Sequence, residues 1–223
     1  MMSKKTKIIL SELVFLITAM VDVYAVITEN KVLEIIFKPL LMTTLVFVYL
    51  AGVEKADFWF VSGLFFSFLG DVFLLDKASY FTFGIASFLV THLIYIKITV
   101  GFLEKYTKEN IFMSAIPFIL LFIGVLYLTF ENLGFLLVHV MIYGITIATF
   151  GAITLLNYRQ KRTSENLLLL LGAILFILSD SLIAVNNFYS SQQAFNILII
   201  LLYLFAQFLI CNVMIVKSRL LLN

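Results

Sequence analysis

The chain has 223 residues, 63% of them apolar and 13% charged, with a net charge of +2 and a mean hydropathy of +1.11. Soluble domains run at about half apolar and about a quarter charged, so this composition excludes an ordinary soluble domain and points to a polytopic membrane protein. No basic run suggests nucleic acid, and the single Cys211 excludes an internal disulfide and a cysteine metal cluster.

A membrane helix needs roughly 20 apolar residues. Eight stretches qualify, at about 8–28, 35–52, 57–75, 80–102, 111–129, 133–156, 166–188 and 194–216. Lipid leaves backbone groups no partner outside the segment, which forces helices, and a barrel's alternating pattern is absent. The expected fold is all-α, an eight-transmembrane-helix bundle forming one transmembrane domain over residues 1–223. The first stretch follows Lys4, Lys5 and Lys7 as a signal peptide would. Glu12 and Asp22 interrupt it and no small-residue cleavage site stands out, so it reads as a retained first span. Lys38 and Pro39 open the second, with Pro39 expected at the first helical position.

Lys and Arg in the short connections set the orientation. One side holds eleven of them: Lys4, Lys5, Lys7, Lys55, Lys105, Lys108, Arg159, Lys161, Arg162, Lys217 and Arg219. The other holds only Lys31 and Lys77, while Lys38 and Lys97 fall inside spans. Both termini are therefore expected in the cytoplasm. At ~1.5 Å per residue, Asp22, Asp71, Asp180, Lys38 and His139 all fall in the outer half of the bilayer, and His92 lies near mid-depth. Asp71 and Asp180 lie four spans apart on spans of the same direction, which suggests a parallel four-plus-four repeat.

Ionisable groups in hydrocarbon cost at least ~2.5–3.5 kcal/mol and mark functional sites. Asp71 follows Gly70, which lets a backbone or ligand approach closely, and shares a face with Ser67. Asp180 sits between Ser179 and Ser181 and shares a face with Phe176, Ala184 and Asn187. Each carboxyl can instead clamp two helices through a Ser or Tyr. Two carboxyls in a dry site do not both ionise, which supplies a proton donor and an acceptor for acid–base chemistry at neutral pH. The reading expects Asp71 and Asp180 to face one cavity. His139 and Tyr143 are i, i+4 neighbours, and His92 and Tyr95 are i, i+3. Tyr203 and Gln207 share a face of the last span and suit a substrate headgroup. Lys38 can snorkel, pair with an Asp or hold a phosphate. Cys211 reads as inert packing. No His-x-x-x-His or Glu-x-x-His spacing points to a metal site.

Five motifs in order resemble the YhhN family of membrane proteins. They are Lys38-Pro39-Leu40; Ser67 to Leu74; Phe83-Gly84 with Phe88 and His92-Leu93-Ile94-Tyr95; Ser179-Asp180-Ser181-Leu182; and Tyr203-Leu204-Phe205-Ala206-Gln207. The resemblance covers about residues 35–212 and includes lysoplasmalogenases. These hydrolyse the vinyl ether bond of lysoplasmalogens, releasing a fatty aldehyde and glycerophospho-ethanolamine or -choline. It implies Asp71 and Asp180 as the catalytic aspartates; the reading of the residues themselves adds Lys38, His92, Tyr95, His139, Tyr143, Asn187, Tyr203 and Gln207 as substrate-binding candidates. It implies a membrane lysophospholipid as substrate, no cofactor, no metal and no nucleic acid, and the bacterial inner (plasma) membrane as location. Two rivals stand beside it: a small-solute or proton-coupled carrier, and a metal-dependent lipid hydrolase using Asp71, Asp180, His92 and His139.

Overall fold

The computed structural model describes residues 3–104 and 107–220; of the counted cations, Lys105 lies outside them and Arg219 is described only in its backbone. Eight α-helices follow one another: α1 Lys4–Ile27, α2 Lys31–Gly52, α3 Phe58–Phe73, α4 Lys77–Val100, α5 Lys108–Thr129, α6 Leu137–Gln160, α7 Ser164–Phe188 and α8 Gln193–Leu220. No strand occurs among the described residues. Helix starts are written into the short loops. Asn30, Asp57, Thr107 and Thr163 each accept a hydrogen bond from the backbone N–H three residues on, which satisfies an orphan donor of the first turn.

Seven stretches are long and apolar enough to cross a membrane, and one of them, Phe58–Val100, contains both α3 and α4. The eight separate apolar spans expected from the sequence thus become seven, because only a single 3-10 turn, Leu74–Asp76, parts α3 from α4. The two helices nevertheless fold back on each other. Thr91 Oγ1 donates to the Gly63 carbonyl at 3.2 Å, and Ser67 Oγ donates to Thr91 Oγ1 at 3.2 Å. Nearer the turn, a Cβ on Gly70 would stand 2.5 Å from the Phe88 ring, and one on Gly84 would stand 2.6 Å from Leu74. Partners thus descend along α4 as they ascend along α3, an antiparallel hairpin.

The chain packs as two compact units. Residues Met1–Ile94 with Cys211–Asn223 form the first, in which α1 lies along α2 and α2 along α3. Cys211 is fully buried there, 4.0 Å from the Leu45 carbonyl, as expected of a packing residue. Tyr95–Ile210 form the second. Its core joins Phe118 of α5, Ile147, Ala148 and Ala152 of α6, and Leu170 and Ile177 of α7.

Helix α2 corrects one expectation. It begins at Lys31, so Pro39 stands inside it rather than at its start. Proline removes the hydrogen bond to the carbonyl four residues back, that of Ile35. Lys31 had read as loop and Lys38 as the opening of the span; with Glu34 they pair with one another inside the helix. The outward faces are apolar: Leu120, Tyr127 and Phe135 are 64%, 83% and 83% exposed. Soluble proteins rarely leave such surface uncovered; lipid covers it at no cost.

Candidate active site

In the second unit, α6 and α7 bring Tyr143 and Asp180 together. The Tyr143 hydroxyl donates to Oδ2 of Asp180 at 2.6 Å, a distance typical of a charge-assisted bond. Asp180 is 7% exposed. The pair borders a recess of about 40 Å³ whose other walls include Phe118, Phe122 and Ile177. A Cβ on Gly144 would collide with the Phe122 ring; glycine one position after Tyr143 lets α5 close against the site. A carboxyl in so apolar a setting has its oxyanion stabilised chiefly by the tyrosine, and can give or take a proton with little competition from water.

The flanking serines do other work. Ser179 Oγ donates to the Ile199 carbonyl at 3.0 Å, tying α7 to α8, while Ser181 lines the recess beside Asp180. Tyr95 donates to Gln207 Oε1 at 2.9 Å, with both residues buried. Tyr203 sets its ring edge-on to Phe176 at 5.5 Å. These three tie α4, α7 and α8 together.

His139 and Asn187 stand exposed, and the Asn187 amide donates to Ile183 on its own helix at 2.8 Å. The i, i+4 spacing of His139 and Tyr143 is real. His139, however, lies in the first turn of α6, and the partner of Tyr143 is a carboxyl on another helix.

In the first unit, Asp71 is buried at 5% exposure on α3, next to the close approach of Gly70 to Phe88. His92 is fully buried on α4, and its Nδ1 donates to the Phe88 carbonyl at 2.8 Å; that carbonyl fixes the proton on Nδ1. Lys38 pairs with a glutamate. Its Nζ bonds Glu34 Oε1 at 2.6 Å, and Lys31 bonds the other oxygen of Glu34 at 2.9 Å. Glu34 escaped the sequence reading although its i, i+4 spacing from Lys38 is the pattern that signals such a pair.

The YhhN family model matches residues 33–214. The chain belongs to the YhhN family. No curated protein and no solved structure matches it. With its apolar helices, this YhhN chain is an integral membrane protein. The matched region holds Lys38, Asp71, His92, Tyr143, Asp180 and Gln207, and leaves out Asp22 of α1.

Asp22 has a different character from the carboxyls of the matched region. It is fully buried, and neither of its oxygens has a hydrogen-bond partner among the described residues. The charges that act on it are those of Lys38 and Glu34 on the neighbouring helix. Among the described residues, no three of His, Cys, Asp and Glu gather where they would hold a metal ion.

Proposed function

We propose that this YhhN protein is a lysoplasmalogenase-like intramembrane hydrolase. On this reading it cleaves the vinyl ether of a lysophospholipid to a fatty aldehyde and a glycerophospho-ethanolamine or -choline, with Asp71 and Asp180 as the acid–base pair. The observation that carries the reading is the Tyr143–Asp180 pair at the edge of an apolar recess, in a span of a chain that belongs to the YhhN family.

A vinyl ether hydrolyses when an acid protonates its β-carbon, which leaves an oxocarbenium ion. Water adds to the α-carbon and yields a proton to the base, giving a hemiacetal. The hemiacetal collapses to an aldehyde and an alcohol, so one water is consumed and the acid–base pair is restored. The reaction needs a desolvated acid and a nearby anion for the cation, and a protonated carboxyl with a carboxylate supplies both. Tyr143 orients Asp180 and holds its charge when ionised.

The same reading gives eight crossings, with α3 and α4 each crossing once as the arms of their hairpin, and both termini in the cytoplasm of a bacterial inner membrane. The lysolipid would enter from the bilayer and leave its headgroup at the outer interface. The deciding experiment is whether detergent-purified protein releases long-chain aldehyde from a lysoplasmalogen. A carrier is the second reading, favoured by the unpartnered carboxyl of Asp22 inside a span; proton-coupled solute uptake by liposomes holding the protein, without aldehyde release, would select it.

A further inference from the structure

The larger cavity of the second unit has about 530 Å³ of free volume, within the ~300–1,000 Å³ of ligand sites. It runs along α5 and α6 and shares two wall residues, Phe122 and Ala148, with the recess at Asp180. The two therefore adjoin at the common wall of Phe122 and Ala148. Thr149 is the one wall residue with a polar side chain, and its hydroxyl is spent on the Ile145 carbonyl at 2.7 Å. Nothing in the cavity can hold a sugar, a phosphate or an amine. Its occupant is a hydrocarbon.

The dimensions specify that hydrocarbon further. From Tyr143, at the recess, to Leu156, at the far end of the cavity, α6 rises ~20 Å at ~1.5 Å per residue. An extended chain of C–C bonds near ~1.5 Å advances ~1.25 Å per carbon, so ~20 Å holds about 16 carbons. The walls are also open to lipid: Ile123 and Ile145 line the cavity and are each 54% exposed. A chain can thus enter sideways from the bilayer.

We propose that this cavity holds the single hydrocarbon chain of the substrate, with its first carbons at Asp180, and that Thr149, Ala152 and Leu156 set the chain length accepted. The inference rests on the hydrolase reading and adds the substrate's chain class and the residues that measure it.

Two variants test it. Ala152→Leu fills the floor, where the native residue is 6% exposed. Thr149→Trp narrows the rim from an exposed position whose hydroxyl bonds its own helix, so folding is preserved there if the floor variant misfolds. Binding is read by native mass spectrometry with saturated ether lysolipids of eight to eighteen carbons, which no acid can hydrolyse, and turnover with the matching alkenyl lysolipids. The wild type should bind more tightly with each added methylene up to about sixteen carbons and gain nothing beyond. Each folded variant should lose about tenfold or more for the longest chains and change little for the shortest, the range that a few methylenes in an apolar pocket can produce.

An unchanged length profile in Thr149→Trp overturns the proposal, as does equal binding of all chain lengths by the wild type, the mark of ordinary annular lipid. Length-dependent binding that both variants shorten, with no aldehyde from any alkenyl lipid, upholds the cavity and removes the hydrolase. Aldehyde release with an unaltered profile does the reverse.

Discussion

The hydroxyl of Tyr143 on α6 donates a 2.6 Å hydrogen bond to Oδ2 of Asp180 on α7. The bond crosses two helices of one unit and fixes the direction of the Asp180 carboxyl. Replacing Tyr143 with Phe keeps the ring and removes the donor. A buried carboxyl that loses such a bond costs about 1–3 kcal/mol, so Tyr143→Phe should lower unfolding stability in detergent by that amount and slow aldehyde release. If stability and rate both match the wild type, the bond carries no weight at this site.

Asp71→Asn and Asp180→Asn preserve shape but cannot transfer a proton. Acid–base groups typically contribute ~10²–10⁴-fold, and here the same groups also face a cationic intermediate. Each variant should fall by at least that range in aldehyde release while its expression and monodispersity remain. Near-normal turnover in both would make the carboxyls structural and move the carrier reading ahead.

Protonation of carbon is the slow chemical event in the proposed reaction, so the rate depends on the fraction of enzyme that still holds its acidic proton. As pH rises that proton is lost, and activity should decline on the alkaline side. If both carboxyls take part in the proposed reaction, the profile reports values of the pair rather than of either residue. A chelator should leave the rate unchanged; its abolition by chelator and restoration by a divalent metal would instead favour the metal-dependent hydrolase.

Gly70 tests the hairpin and the site together. A Cβ there would stand 2.5 Å from the ring of Phe88, which is itself 4% exposed and has little room to move. Overpacking of this kind typically costs about 1–3 kcal/mol. Gly70→Ala should therefore reduce stability by that amount and displace the neighbouring Asp71, lowering activity more than expression. An unperturbed melting temperature would mean that α3 and α4 separate easily.

Topology is accessible to labelling. Cysteine placed at Lys77, at the start of α4, should react with an impermeant reagent from outside, and cysteines at Lys4 and Lys217 should react only from the cytoplasmic face. Labels at Lys4 and Lys217 on opposite faces would leave the chain with an odd number of crossings.

The helices were legible in the sequence because a membrane demands long apolar runs, and composition alone supplies that signal. Their ends were less so. The start of α2 was missed because Lys31 and Glu34 precede the apolar run in a hydropathy reading, whereas Glu34 bridging Lys31 and Lys38 neutralises much of their cost. The candidate site was legible residue by residue and not pair by pair. Asp180 and Tyr143 each declared themselves as polar groups in spans, but helical periodicity reports faces and says nothing about which helices meet. It tied Tyr143 to His139, one turn away, when the partner was 37 positions along the chain. Tyr203 and Gln207 show the same limit: the sequence places them on one face of α8, and only the packed structure supplies Tyr95 as a donor to Gln207.

The half-exposed rims of the cavity at Ile123 and Ile145 have a kinetic consequence. On the hydrolase reading the protein meets a lysolipid in two dimensions, and what would govern encounter is the mole fraction of that lipid among its neighbours in the leaflet. Adding inert phospholipid at constant total lysolipid should therefore slow turnover, and restoring the mole fraction should restore it, whatever the volume of buffer. Detergent micelles would act as competing solvent as well as carrier, so rates compared between preparations need equal surface dilution before any difference is attributed to a side chain.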